Sequence, residues 1–387
     1  MLQSFFTGLS GMLGFSKSLD TVSNNVANMN TPGYRGTSTF MRDVVGENGS
    51  GFGATVGDTA TRTSSGDIKQ TGNETDIAIV GEGLFVLQNE SGDYFYTRAG
   101  QFIFNEENML VDSTGDFFVM GLNEDSNLER IDISEQRILP PVATTNIDLK
   151  GALASTDDSH QITPIPIYDA SGISHDLTLT LRNPTDSINL WTVEVTNNLG
   201  DILGDGEIRF NSDGSLLENF NQISITTSLS GSEQTINFNF GEPNTVTGAR
   251  QSLSGASNLV TGTVDGNAPL GLTGVKFNEK GVMILQYSNG DTHDGSQIAV
   301  ASFSNEQNLE RSTGAMFTAK DDQTPTIRRP AEEGMGKIKG ESIELSNVDL
   351  TQEFADILII QRGYQASSQV MSVANELIEQ LYNGTRG

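Results

Sequence analysis

Three histidines, His160, His175 and His293, are the side chains of this chain best suited to acid–base work or metal ligation near neutral pH. Each lies in a polar, turn-like stretch, and they share no ligand spacing. No H-E-x-x-H, nucleophile elbow or P-loop occurs. Asp291-Thr292-His293-Asp294-Gly295 has the acidic density of a cation loop, but the Ca²⁺ pattern is incomplete and a hairpin turn is the better reading. Abundant Asp and Glu in a β-rich chain would suit a glycoside hydrolase, yet no pair of carboxylates can be singled out. There is no cysteine, which removes disulfides and thiolate metal sites. The expectation is a non-enzyme without catalytic, cofactor-binding or metal-binding residues.

What the spacing does offer is association. Near the start, Leu2, Phe5, Leu9, Met12, Leu19 and Val26 fall on alternating three- and four-residue steps, with Ser16 and Ser23 filling the gaps. Near the finish, Ile360, Tyr364, Ser367, Met371, Ala374, Ile378 and Leu381 do the same. That period is the seam of a coiled coil, narrower than the stripe of an ordinary globular helix. These residues are the candidate polymer interface: two helices that meet each other, other copies, or both.

The elements that carry the seams follow from local signals. A helix is expected from near Leu2 to near Met29, about 42 Å at 1.5 Å per residue, stopped by Thr31-Pro32-Gly33. Gly8, Gly11 and Gly14 each weaken it by up to ~1 kcal/mol relative to Ala, so it should order only on assembly. A second helix is expected over Leu350–Tyr382, with Asp349 as N-cap, Gln352 three residues on, and Gly384 as the stop.

Between the helices the grammar is β. Residues 33–75 are polar and rich in Gly, Ser and Thr, and read as an extended arm. Short strands are expected at 77–80, 84–87, 94–97, 102–104, 109–111 and 117–120, separated by turn clusters. A boundary comes near Pro140-Pro141. Over 147–272 the alternation is cleaner: Leu177, Leu179 and Leu181, then Trp191, Val193 and Val195, then Ile236, Phe238 and Phe240 each mark one buried strand face. Residues 241–271 read as loop. Strands resume at 282–285 and 298–303 around an Asn289-Gly290 turn, and 304–346 is again polar.

The reading is a nested, elongated, mainly β multi-domain chain with paired terminal α-helices. Residues 1–32 with 347–387 form a helical coiled-coil domain. Residues 33–75 with 320–346 form a connector arm. Residues 76–146 with 273–319 form an inner β domain, and 147–272 an outer inserted β domain. Glycine at 42 of 387 residues and only 7% aromatics favour such a β protein over a compact enzyme. The formal net charge of -28 argues against nucleic acid or anionic membrane as partners, since both need a basic face. Residues 1–16 lack a secretory signal's basic region, and no apolar run approaches the ~20 residues of a membrane helix.

Several stretches resemble the bacterial flagellar rod and hook family. At the N-terminal side these are Leu19-Asp20-Thr21-Val22-Ser23-Asn24-Asn25-Val26-Ala27-Asn28 and Thr31-Pro32-Gly33-Tyr34. At the C-terminal side they are Ser346-Asn347-Val348-Asp349-Leu350 and Gln361-Arg362-Gly363-Tyr364-Gln365. Tyr96-Thr97-Arg98-Ala99-Gly100 and the strand Leu84-Phe85-Val86 resemble the β domain that the family shares. The signature residues are thus Asn24, Asn25, Ala27, Asn28, Thr31, Gly33, Tyr34, Asn347, Asp349, Gln361, Arg362 and Tyr364. Ile167-Tyr168-Asp169-Ala170-Ser171-Gly172 and Tyr287-Ser288-Asn289-Gly290 resemble the hook branch more than the rod branch, the distal rod being the alternative.

The resemblance implies a structural subunit that assembles head-to-tail into a flexible tube between rod and filament. It implies terminal helices lining the channel and a location in the extracellular flagellum. Implied partners are further copies of the chain, the rod, the hook cap, the hook–filament junction proteins and the flagellar type III export apparatus. Export would proceed without a cleaved signal peptide.

Overall fold

A computed structural model describes residues 2–45, 51–184, 189–320 and 323–384. The chain divides into two compact units. One comprises 1–134, 273–286 and 290–387; the other, inserted in sequence, comprises 135–272 and 287–289.

In the first unit, α1 (Leu2–Ala27) and α2 (Leu350–Gly384) pack along each other. α1 ends two residues before the expected Met29, where the Asn28 N–H turns back to the carbonyls of Asn24 and Asn25. α2 starts where expected. The Asp349 carboxylate accepts from the N–H groups of Thr351 (2.8 Å) and Gln352 (3.4 Å), satisfying two donors of the first turn. The helix continues to the expected stop at Gly384, the last of the described residues.

Within the arm expected over 33–75 the structure shows regular strands. Thr37–Val45 (β1) and Gly51–Thr61 (β2) form a long antiparallel hairpin, Thr37 facing Thr61 and Val45 facing Gly51, with two register irregularities. The hairpin lies on α1. A side chain at Gly53 would collide with Ser10, so glycine lets β2 reach the helix. Its threonine- and glycine-rich strands carry little apolar periodicity because the supporting surface is α1 rather than a second sheet. Beyond it the outgoing and returning chain pair locally: Ile68–Gln70 with Ser342–Glu344, and Ile77–Val80 with Lys337–Gly340.

The β part of this unit centres on Leu84–Gln88, which pairs antiparallel with Tyr94–Thr97, Phe118–Leu122 and Val300–Ser302. Leu84, Val86, Tyr96, Met120, Ala299, Ala301, Phe303 and Phe317 form its core, with the Tyr96 and Phe303 rings edge-to-face at 4.8 Å. The single strand expected over 298–303 is two: Thr292–Ile298 pairs with Phe118–Leu122, and Val300–Ser302 crosses to Thr326–Arg328. The polar stretch 304–346 contributes short strands such as Met316–Thr318, paired with Tyr94–Thr97. Two- to four-residue strands are too short to show a period, so their partners, distant in sequence, decide them.

Among the described residues the inserted unit is built mainly on two sheets. One is an antiparallel meander of Ser159–Tyr168, Ser174–Arg182, Leu190–Asn197 and Ile202–Arg209. In the other, Asn146–Ala154 pairs parallel with Ser232–Asn239 and with Ala249–Ser252, and antiparallel with Val260–Val264. The last two strands correct the loop expected over 241–271. All nine residues of the three alternating triplets, Trp191 among them, are at most 1% exposed in one shared core.

Candidate assembly interface

The helix pair is antiparallel, and small residues let the two helices approach closely. A Cβ at Gly8 would stand 3.0 Å from the Ser367 carbonyl oxygen, and one at Gly11 2.7 Å from Ser367 Oγ. A Cβ at Gly363 would collide with the Phe15 ring. The packed seam of α1 is therefore Gly8, Gly11, Phe15, Ser18, Val22 and Asn25. That lies one residue before the apolar stripe read from the sequence.

The offset places the predicted α1 residues beside the seam instead of in it. Phe5, Leu9, Met12 and Val26 are half-buried and Leu19 is exposed. The Leu2 side chain lies outside the described residues. On α2, Ile360 is buried, Met371 and Ile378 are half-buried, and Tyr364 and Leu381 are exposed. Large apolar side chains remain in the open on both helices: Phe6 and Leu13 on α1, and Leu358, Ile359, Val370, Val373 and Leu377 on α2. Ala366, Val370, Val373 and Leu377 line one shallow cleft with Ser4 of α1.

The signature residues divide into two groups. Asn25 is fully buried. Its Nδ2 donates to both Glu353 carboxylate oxygens (3.2 Å each) and to the Thr37 carbonyl (2.9 Å), and its Oδ1 accepts from the Thr37 N–H (2.9 Å). Asn28 Nδ2 closes the helix end on the Asn24 carbonyl, and Thr31 Oγ1 donates to Asn28 Oδ1. Gly33 has φ +68° and backs onto Ala99 so closely that no Cβ fits. Tyr34 is buried under the Arg311 guanidinium, 4.6 Å from its ring centroid. Asn347 accepts from the Gly36 N–H (2.7 Å) and donates to the carbonyls of Arg62 and Ser64. With Asp349 these side chains staple the helix pair to the adjoining chain. Ala27, Gln361, Arg362 and Tyr364 are exposed instead.

Sequence reasoning missed the charges beneath these staples. Glu344 is buried and bridges Arg35 (3.4 Å) and Arg98 (3.1 Å), and its Oε1 also accepts from the Gly66 N–H. Burial, reinforced by the neighbouring Arg98 charge, lowers the Arg35 pKa. Glu353, likewise fully buried, pairs with Arg62 at 2.7 Å. A lone glutamate on the inner face of an apolar helix was the available signal for Glu353. For Glu344 there was none.

Two of the three histidines serve the fold. His175 Nε2 lies 3.1 Å from Asp169, which also accepts a short hydrogen bond from Ser230, and His160 Nε2 lies 2.7 Å from the Leu259 carbonyl. Among the described residues no group of three or more His, Asp or Glu could hold a metal ion, and no helix is long and apolar enough to cross a membrane.

Comparison with known proteins matches three family models. Residues 5–35 match the flagella basal body rod protein, 78–138 the flagellar hook protein FlgE/F/G D1 domain, and 339–383 the flagellar basal body rod FlgEFG protein C-terminal region. The flagellar hook protein FlgE of Salmonella typhimurium is 26% identical, covering 98% of this chain and 99% of that protein. FlgE of Brucella suis is 28% identical, covering 97% of each. The crystal structure of Helicobacter pylori flagellar hook protein FlgE2 superposes with a TM-score of 0.50 at 14% identity, over 71% of this chain and all of that one. That likeness speaks to the fold.

Proposed function

We infer that the chain belongs to the flagellar rod and hook family, and from its relatives and the helix pair how this subunit works. It is a structural subunit of the bacterial flagellar hook, similar along nearly its whole length to hook proteins. The observation that carries the mechanism is the division of labour on the terminal helices. Gly8, Gly11, Ser18 and Gly363 let the pair close around Phe15, Val22 and Ile360 within one chain, while Phe6, Leu13, Leu358, Ile359, Val370, Val373 and Leu377 stay exposed. Each such side chain gains ~1.5–3 kcal/mol when fully buried. Helices lying side by side from successive copies would supply that burial. A contact of this kind that does not close into a ring generates a helical tube.

In this reading the polymer interface comprises Leu2, Phe5, Leu9, Met12, Leu19 and Val26 with Tyr364, Met371, Ile378, Leu381 and the flank of Ile360. Residues 1–32 with 347–387 act as the assembly core, 33–75 with 320–346 as the connector, 76–146 with 273–319 as the inner β layer, and 147–272 as the outer one. Beyond its own copies, the subunit would meet rod, cap and junction proteins at the tube's ends. It would reach the growing tip through the type III export apparatus.

Electron microscopy of the full chain under polymerising conditions, beside a version lacking 1–30 and 350–387, tests this. Curved tubes from the full chain alone are expected. Short, straight, self-limiting stacks would move the reading to the rod, and monomers at every salt and concentration would remove self-assembly.

A further inference from the structure

We infer that Asn25, Glu353 and Arg62 form a register pin. This buried polar cluster sets the alignment of α1 against α2 and ties that alignment to the β1–β2 hairpin. Along the antiparallel seam Gly11 faces Ser367 and Phe15 faces Gly363. In the same register Asn25 faces Glu353. The layers between are mostly small or apolar, and the seam repeats every seven residues. A slip of one heptad would bring Gly11 opposite Ile360 or Ala374, both residues that a seam accepts. The Phe15 layer resists such a slip, since Asp356 or Val370 would stand where only glycine clears the ring, but the remaining layers distinguish the registers poorly.

The polar layer distinguishes them well. Asn25 and Glu353 are both fully buried, and Glu353 has its partners only where Asn25 Nδ2 and the Arg62 guanidinium converge on it. Any slip leaves a buried carboxylate without them, a far larger loss than the net gain of forming the cluster. Arg62 comes directly after β2, and Asn25 also grips both the N–H and the carbonyl of Thr37 at the start of β1. One cluster thus fixes helix against helix and both against the hairpin. Asn25, singled out in the sequence as a family signature, acts here inside one subunit, with Arg62 and Glu353 as positioning residues.

The chain has no native cysteine, so engineered pairs report register without ambiguity. Gly11→Cys with Ser367→Cys reads the observed register, since a Cβ at Gly11 lies 3.4 Å from that of Ser367, close to the ~3.5–4.5 Å of disulfides. Gly11→Cys with Ile360→Cys or with Ala374→Cys reads the two slipped registers. Oxidation is followed before and after assembly of the full chain. Fast-migrating monomers mark intramolecular links, and ladders mark links between copies.

In the parent the first pair should exceed the slipped pairs by at least about a hundredfold. In the variant Asn25→Leu, Arg62→Met, Glu353→Leu the excess of the first pair over the slipped pairs should fall at least about tenfold. Phe15→Ala, which removes the steric layer over Gly363 and keeps the pin, should retain the parent pattern. The single variant Asn25→Leu, read the same way, covers the case in which the triple variant does not assemble. An undiminished excess of the first pair in the pin variants, or slippage in Phe15→Ala alone, would overturn the proposal. The links are intramolecular, so failure to form tubes with the register pattern intact would count against the assembly reading and leave the pin standing.

Discussion

The helix pair and the inserted unit both show regular apolar spacing in sequence, yet they are built in opposite ways. In the inserted unit the periodic residues are the core: Leu179, Trp191, Val195 and Phe238 have no measurable exposure. In the helix pair, glycines and a serine that hydropathy ignores make much of the α1 side of the contact, and the periodic apolar side chains of α1 flank it or face outward. The difference teaches that apolar period locates a surface to be buried without saying whether one chain or several will bury it. The size of the side chains actually in contact decides. The inserted unit fills its interior with large groups, whereas the helix pair leaves many of its large groups exposed, where copies of the chain would bury them under the proposed assembly.

The sharpest way to break this comparison is to change one side chain in each region. Trp191→Ala should cost the inserted unit ~3–5 kcal/mol, as lost burial plus an unfilled cavity, read as a lower urea midpoint. Gly363→Ala makes the opposite change, adding one methyl group to the helix seam. Propensity alone favours alanine by about 1 kcal/mol. Overpacking against the Phe15 ring costs ~1–3 kcal/mol and should prevail. The expected outcome is an earlier thermal loss of helical ellipticity and impaired assembly. A stabilised helix pair would show that the seam is looser than the glycine geometry requires.

The contrast also explains what could be read from the sequence. The alternating triplets of the inserted unit were legible because a period of two maps directly onto a face buried by the same unit. The α2 seam was legible through Ile360, Met371, Ala374 and Ile378, since large and small residues share that face. On α1 the apolar stripe sits one residue from the packed one. Gly8, Gly11, Ser18 and Asn25 carry no hydropathy signal, and the glycines were visible only as a propensity cost. The Asn25–Glu353 bond spans 328 positions, beyond any local rule. The β1–β2 hairpin was hidden for a related reason: its partner is a helix, so its strands need no alternating apolar face.

A smaller effect separates folding from assembly. Leu377 is 45% exposed and outside the packed seam. Leu377→Ser should shift subunit stability by no more than about 0.5 kcal/mol. The same change removes burial that only a neighbouring copy would provide, so the concentration needed for polymerisation should rise about tenfold. Equal losses in subunit and polymer would place Leu377 inside the monomer's own core and dissolve the distinction between the regions.

Acid should produce the smallest separation, and its sign differs between the regions. In the inserted unit, hydrogen bonds from Ser257 lower Asp157, those from Ser230 and then His175 lower Asp169, and those from Ser215 lower Asp213. At Asp265 burial pushes upward, but hydrogen bonds from Asn146 and Thr145 together prevail and lower it. A depressed carboxyl contributes stability that is present above its unfolded pKa, about 3.9, and is lost as pH falls through the folded value. The inserted unit should therefore lose stability progressively below about pH 4. In the other unit burial raises Glu306, against the pull of Arg98 and Arg35. A raised carboxyl contributes stability that is full below the unfolded pKa, about 4.3, and lost as pH rises through the folded value, so the Glu306 contribution grows on mild acidification. Thermal unfolding followed at Trp191 and by helical ellipticity from pH 6 to pH 3 reads the two units apart. The tryptophan transition should fall first, and Asp169→Asn should flatten its acid limb while leaving the helical transition where it was.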